Sequence, residues 1–128
     1  MKRINITSGA KWEEIVGYSR AVRINNCIEI SGTVAVREGK TIGIQDPYLQ
    51  TKCILEIIEE SLVKAGARLE NVVRTRIFVT DINKWEAVGK AHGEVFKKIK
   101  PATSMVEVNA LIDPSYLVEI EATAIVND

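Results

Sequence analysis

The chain reads as an α+β protein, a mixed β-sheet with two helices packed on one face, in a single domain over residues 1–128. Three observations predict this. Residues 46–66 and 83–98 carry apolar side chains at helical spacing, while the stretches around them alternate with the period of strands. The order is strands, helix, strand, helix, then two strands, which layers helices on a sheet. A length of 128 residues, 46% of them apolar, is enough to close one core.

Each element has its own signal. "YSRAVRI" (18–24) alternates, and Asn25-Asn26 suits a turn because Asn tolerates positive φ. "CIEISGTVAV" continues as a second strand from Cys27 to Val36, and "REGKTIG" marks a further turn with a short strand near Lys40 to Ile42. Asp46 can cap the first helix, Pro47 suits its first turn and Gly66 can end it. Ile54, Ile57, Ile58, Ser61, Leu62 and Ala65 then share its inner face, and Glu56, Glu59, Glu60 and Lys64 face water. In "VRTRIFVT", Val73, Thr75, Ile77 and Val79 point one way and Arg74, Arg76 and Phe78 the other.

The second helix is expected over 83–98, capped by Asp81 or Asn83, with Trp85, Val88, His92, Val95, Phe96 and Ile99 as its stripe. Gly89 and Gly93 each cost it roughly 1 kcal/mol relative to Ala, and close approach of a neighbour is a common reason for such glycines. His92 has two readings, a packed histidine or a site residue. "SMVEVNA" and "LVEIEATAIV" are the last strands. Val118, Ile120, Ala122 and Ala124 form a core face of the second. Leu117, Glu119, Glu121, Thr123 and Ile125 form a mixed face, which burial against another subunit would explain; a homo-oligomer is expected.

Composition narrows the function. Seventeen Lys and Arg balance seventeen Asp and Glu, which argues against a protein built to bind nucleic acid. No apolar run approaches the ~18 residues of a membrane span, and "MKRINITSGAKW" lacks the apolar heart of a signal peptide, so a cytosolic protein is expected. Cys27 and Cys53 form no CxxC pair and His92 is the one histidine, so no zinc or other metal site is expected and the cysteines read as buried thiols.

Five phrases carry a resemblance: "GYSRAV" (17–22), "IEISGTVAV" (28–36), "VVRTRIFVTDINKWEAV" (72–88), "PATSMVEVNAL" (101–111) and "VEIEATA" (118–124). In order and over nearly the whole chain they resemble the Rid family, also called YjgF/YER057c/UK114. The resemblance implies a chorismate-mutase-like α+β fold. It also implies a homotrimer with a central barrel and three small-molecule clefts at the subunit interfaces. Archetypal members are enamine/imine deaminases that hydrolyse 2-aminoacrylate and related imino acids to 2-keto acids and ammonia, without a cofactor.

By the same resemblance, Thr103 in "PATS" stands where those deaminases carry, in "PARS", the arginine that grips the substrate carboxylate. A guanidinium offers a two-pronged, permanently charged match, and a hydroxyl offers one neutral bond. A charged hydrogen bond contributes roughly 1.5–3 kcal/mol, so its loss weakens binding about 10- to 150-fold. Members without the arginine are generally taken to lack the archetypal activity.

Other positions carried over are Tyr18 lining the cleft, Ser31 with Gly32 as the "SG" pair, and Glu119 handling the attacking water. Met105 lies where a backbone carbonyl helps position that water, Gly89 replaces an asparagine, and "LIDPSY" replaces a Leu-Pro loop. Glu119 acts as a general base if burial raises its pKa, or else holds backbone at the trimer seam. Glu121 and Glu107 read as structural.

Arg20 lies two residues from Tyr18 on the same face. Either it reaches into the cleft and redirects ligand binding, or it pairs with an acidic residue at the seam; Arg76 is a weaker candidate for the same role. Three functions follow. One is imine or enamine hydrolysis with the activity lost or redirected, and another is a non-catalytic metabolite-binding or regulatory trimer. The third, an endoribonuclease or translation inhibitor, finds no basic-aromatic stripe to support it.

Overall fold

The computed structural model describes residues 2–127. β1 (Arg3–Ile6) leads through a π-helical turn, Glu13–Gly17, to β2 (Ala21–Ile24) and β3 (Cys27–Thr33). β4 (Val36–Arg37) and β5 (Lys40–Thr41) form a small ribbon of their own, joined through Glu38 and Gly39, both at positive φ as a tight two-residue hairpin requires. Then come α1 (Pro47–Lys64), β6 (Val72–Val79), α2 (Trp85–Phe96), β7 (Ala102–Glu107) and β8 (Val118–Ile125). The six-stranded sheet runs β1-β2-β3-β8-β6-β7, antiparallel except for the parallel β6–β7 pair. The mixed sheet with two helices stands as the sequence predicts.

The period-2 pattern fixes the core. On β8, Val118, Ile120, Ala122 and Ala124 are each at most 1% exposed. They face Val79, Ile77 and Thr75 of β6 in register, so one apolar face is continuous across two strands. Ile54, Leu55, Ile58 and Leu62 of α1 cover that face, each burial stabilising by roughly 1.5–3 kcal/mol. The Asp46 carboxylate accepts from the Leu49 N–H at 3.0 Å, which caps α1 as expected, and Gly66 follows its end at φ +85°.

Several details differ. The first helix buries Leu55 rather than Ile57, which is half-buried at the helix edge. On β6 the pairing with β8 slips between Val72 and Arg74, so Val72 is buried and Val73 is 42% exposed; the extra residue of a bulge reverses the alternation there. α2 spans 85–96 rather than 83–98, because a 3-10 turn, Ile82–Lys84, precedes it. Asp81 caps that turn through the Asn83 N–H at 3.0 Å. Trp85, in the first turn of α2, is 54% exposed and lies outside the stripe.

A Cβ on Gly93 would meet nothing within 4 Å and one on Gly89 only Trp85 at 3.9 Å, so within the chain neither glycine serves a close approach. Cys53 is buried, but Cys27 is exposed at the start of β3. The first predicted strand begins at Ala21, not Tyr18, because the chain turns through Gly17 at φ +87° and enters the ladder only after Arg20. The second ends at Thr33 rather than Val36.

Candidate functional site

A cleft of about 510 Å³ opens where the segment before β2 crosses β3 and β8. The irregular path of residues 18–20 creates it, and side chains fix that path. The Ser31 hydroxyl donates to the Ser19 carbonyl at 2.6 Å, and the Ser31 N–H donates to the Arg20 carbonyl at 3.0 Å. Farther out, the Glu13 carboxylate accepts from the Thr7 hydroxyl at 2.7 Å and from the amide and hydroxyl of Ser8. These bonds tie residues 7–8 to the π-helical turn. Burial pushes the Glu13 carboxyl up, but the bonds from Ser8 and Thr7, with Arg20 nearby, prevail and hold it below its ordinary value.

Tyr18, Arg20, Ser31, Gly32 and Glu119 all line this cleft, so five of the residues singled out in the sequence meet in one place. Gly32 and Glu119 are in near contact: a Cβ on Gly32 would lie 2.9 Å from Glu119 Cδ. Glycine at 32 therefore makes the room in which the carboxyl sits. That carboxyl has no hydrogen-bond donor among the described residues. Burial raises its pKa and the neighbouring Glu121 raises it further, while Arg20 opposes them. A carboxyl of this kind can trade protons with water closer to neutrality than a solvated one.

Arg20 lines the same cleft. Its Nη2 donates to the Gly32 carbonyl at 2.6 Å, and its Nε is buried without a partner. Burial lowers its pKa against the pull of Tyr18, Glu13 and Glu119. Within the chain, among the described residues, no carboxylate lies within 4.0 Å of Arg20. Arg76 lies 3.7 Å from Glu121 across the β6–β8 ladder, both side chains being partly exposed. Glu107 accepts from the Ile82 N–H at 2.9 Å and caps the 3-10 turn.

Thr103, Met105 and Gly89 do not reach this cleft within one chain. Thr103 is exposed on β7, the edge strand. Its hydroxyl bonds the Thr75 hydroxyl at 2.8 Å and the Pro101 carbonyl at 3.2 Å. The buried Thr75 hydroxyl in turn meets His92 Nε2 at 2.9 Å, and the His92 ring packs beside Phe96, as the packed reading expects. Burial lowers the His92 pKa. Met105 packs against the core from β7, and Gly89 lies on α2.

The sequence reading missed Trp12, Val16, Ile57, Ile112 and Tyr116 as cleft walls and Glu13 as the clasp behind them. Trp12 and Val16 belong to an irregular stretch, and Ile112 and Tyr116 come from the 108–117 connection. No periodicity marks such positions.

Comparison with known proteins places the fold in a family. The family model described as "Endoribonuclease L-PSP" matches residues 9–126. The crystal structure of Rv2704 from Mycobacterium tuberculosis, a protein described as a member of the YjgF/YER057c/UK114 family, superposes with a TM-score of 0.90 at 50% identity. That match covers 98% of this chain and all of the other. The chain belongs to the Rid family. Within it, an uncharacterised Streptomyces coelicolor protein is 35% identical over 119 residues, spanning 93% of this chain and 89% of its relative. The 3-aminoacrylate deaminase RutC of Acinetobacter baylyi is 31% identical over 108 residues, covering 84% of this chain and 85% of RutC. The Rid fold expected from the motifs, a chorismate-mutase-like α+β domain, is thus the fold observed.

Proposed function

We propose that this Rid protein binds a small imine- or enamine-type molecule in the Tyr18–Glu119 cleft and hydrolyses its C–N bond. The observation that carries the proposal is the Glu119 carboxyl, free of donors, raised in pKa and given its space by Gly32. Water attacks the C=N carbon as Glu119 takes one of its protons. The proton passes to nitrogen, and collapse of the carbinolamine releases ammonia and leaves a carbonyl, so that C=N plus water becomes C=O plus ammonia. No cofactor is needed for this balance.

The functional unit in this reading is a homotrimer, in which β7 of one copy, bearing Thr103 and Met105, completes the cleft of the next. Thr103 stands in place of the carboxylate-gripping arginine, so hydrolysis of amino-acid-derived imines is lost or redirected to another substrate. The RutC relative supports deaminase chemistry as the starting point. A non-catalytic metabolite-binding trimer is the second reading. The observation favouring it is that the Thr103 hydroxyl is already engaged by Thr75 and Pro101.

The test generates an imino acid in situ with an amino-acid oxidase and follows its decay with wild type, Thr103→Arg and Thr103→Arg/Glu119→Gln. Thr103→Arg should accelerate the decay beyond wild type, and adding Glu119→Gln should abolish the gain. Full activity in the double variant would remove Glu119 from the mechanism. Inactivity of all three would leave the binding reading.

A further inference from the structure

We infer that Arg20 is an anion anchor inside the cleft, and that the ligand it selects is a monocarboxylate with an apolar body. The inference rests on the cleft being the ligand site of the preceding reading, but not on turnover.

Arg20 is a half-buried cation with no carboxylate within 4.0 Å among the described residues. Among the described residues the ion pairs within 4.0 Å use Arg37, Lys52 and Arg76, never Arg20. Of its donors, Nη2 reaches the Gly32 carbonyl, Nε is buried with no acceptor, and Nη1 bonds no described residue. The other buried-side arginines are satisfied differently: Arg23 donates to the carbonyls of Asn25 and Ala65, and Arg74 to the Ser104 hydroxyl. A partly desolvated charge whose Nε is buried and idle is costly until an anion arrives. A carboxylate matches the planar fork of a guanidinium. Neither nearby carboxylate fills the role, since Glu13 is committed to Thr7 and Ser8, and Glu119 makes no ion pair with Arg20.

The charge count sets the valence. Among the described residues, Arg20 and Glu119 are the only charged side chains lining the cleft. One guanidinium beside one carboxyl offers a single fork for one carboxylate and no second cation for a phosphate dianion. The rest of the wall sets the body of the ligand. Trp12, Val16 and Ile112 are 40%, 67% and 70% exposed around the opening, and Ile57 and the Tyr116 ring lie among them. Apolar walls with a few placed polar groups are the ordinary make-up of a small-molecule site.

The probe is phenylacetate, with phenylacetamide as its uncharged counterpart and inorganic phosphate as the dianion. In a Trp85→Phe background Trp12 is the sole tryptophan, and it lies on the cleft wall, so its fluorescence reports occupancy. Phenylacetate should bind saturably. Phenylacetamide should bind about 10- to 150-fold more weakly, and Arg20→Gln should weaken phenylacetate by a similar factor. Arg20→Lys, which keeps the charge but not the fork, should fall between, and Arg68→Gln, exposed and remote, should bind as wild type. Phosphate should leave the signal unchanged.

Equal binding of phenylacetate and phenylacetamide by wild type overturns the anchor, and that comparison needs no variant to fold. So does wild-type affinity in Arg20→Gln, or no saturable phenylacetate binding at all. If imine hydrolysis is absent while phenylacetate binds through Arg20, the catalytic reading fails and the anchor stands. If hydrolysis persists in Arg20→Gln with an unchanged KM, the anchor fails and the catalytic reading stands.

Discussion

Replacing Gly32 with alanine would move the Glu119 carboxyl without unfolding the chain. The added methyl carbon would lie 2.9 Å from Glu119 Cδ and nearer still to Oε2. Unstrained carbon contacts lie at about 3.5–4.0 Å, so the carboxyl must shift by roughly 1 Å. What yields is the far end of a flexible side chain rather than backbone, and the φ of Gly32 is outside the left-handed region, so alanine fits the local backbone.

Replacing glycine by alanine at a compatible site stabilises by about 0.4–1 kcal/mol. Forcing a side chain off its rotamer costs about 0.5–1.5 kcal/mol. The two nearly cancel, and Gly32→Ala should melt within about 1 kcal/mol of wild type. Its effect on function should be far larger, since a misplacement near 1 Å can cost about 100-fold in rate. Two readouts pair well: a reversible melt, and a carbon-13 NMR titration of the Glu119 carboxyl, which needs no turnover. The melt should stay and the titration midpoint should move. A loss above about 2 kcal/mol would show that Glu119 is not free to swing. An unmoved titration with an unchanged rate would show that Gly32 does not set the position of that carboxyl.

Glu119→Gln should stabilise the fold at pH 7. The folded carboxyl holds its proton above the ordinary value of 4.5, so the ionised form is a liability whose cost is absent below that value and grows as pH rises through the folded pKa. Melts from pH 4 to pH 8 should show the gain vanish at the acid end, and a Gln variant less stable at pH 7 would refute this. Glu13→Gln should do the opposite. Its depressed carboxyl stabilises above 4.5 and loses that contribution as pH falls through the folded pKa, so the variant should cost about 1–3 kcal/mol at pH 7 and progressively less in acid. Ile58→Ala, at a fully buried site, should cost about 2–5 kcal/mol in denaturant unfolding, whereas Ile57→Ala, half-buried beside the cleft, should cost less; equal costs would show the two faces of α1 are misassigned.

How much of this was legible depended on whether the signal was local. The cap at Asp46, the strict alternation of β8 and the Asn25 turn are written within a few residues, and each is found in place, whereas Asp81 caps the 3-10 turn ahead of α2 rather than α2 itself. Val73 and Trp85 were misplaced because a bulge and a 3-10 turn shift the phase of a pattern without altering it in sequence. β1 escaped notice because four residues, Arg3 to Ile6, hold only two apolar side chains and gain their strand from pairing with β2. Tyr18, Arg20, Ser31, Gly32 and Glu119 do share a cleft, but the walls around them come from loops far apart in the chain. The clasp at Glu13 depends on hydroxyls five and six residues upstream, which no regular period would connect.

The Thr75 hydroxyl has two partners, Thr103 and His92. Removing one leaves the other, so exchanging the side chain at 103 strands no buried polar group. Because residue 103 is also exposed on an edge strand of the single chain, the fold of that chain is nearly indifferent to what stands there. A charge at that position can be gained or lost in a single evolutionary step with no compensating change elsewhere. Descendants of one ancestral scaffold could therefore diverge in ligand while remaining alike in core, stability and shape.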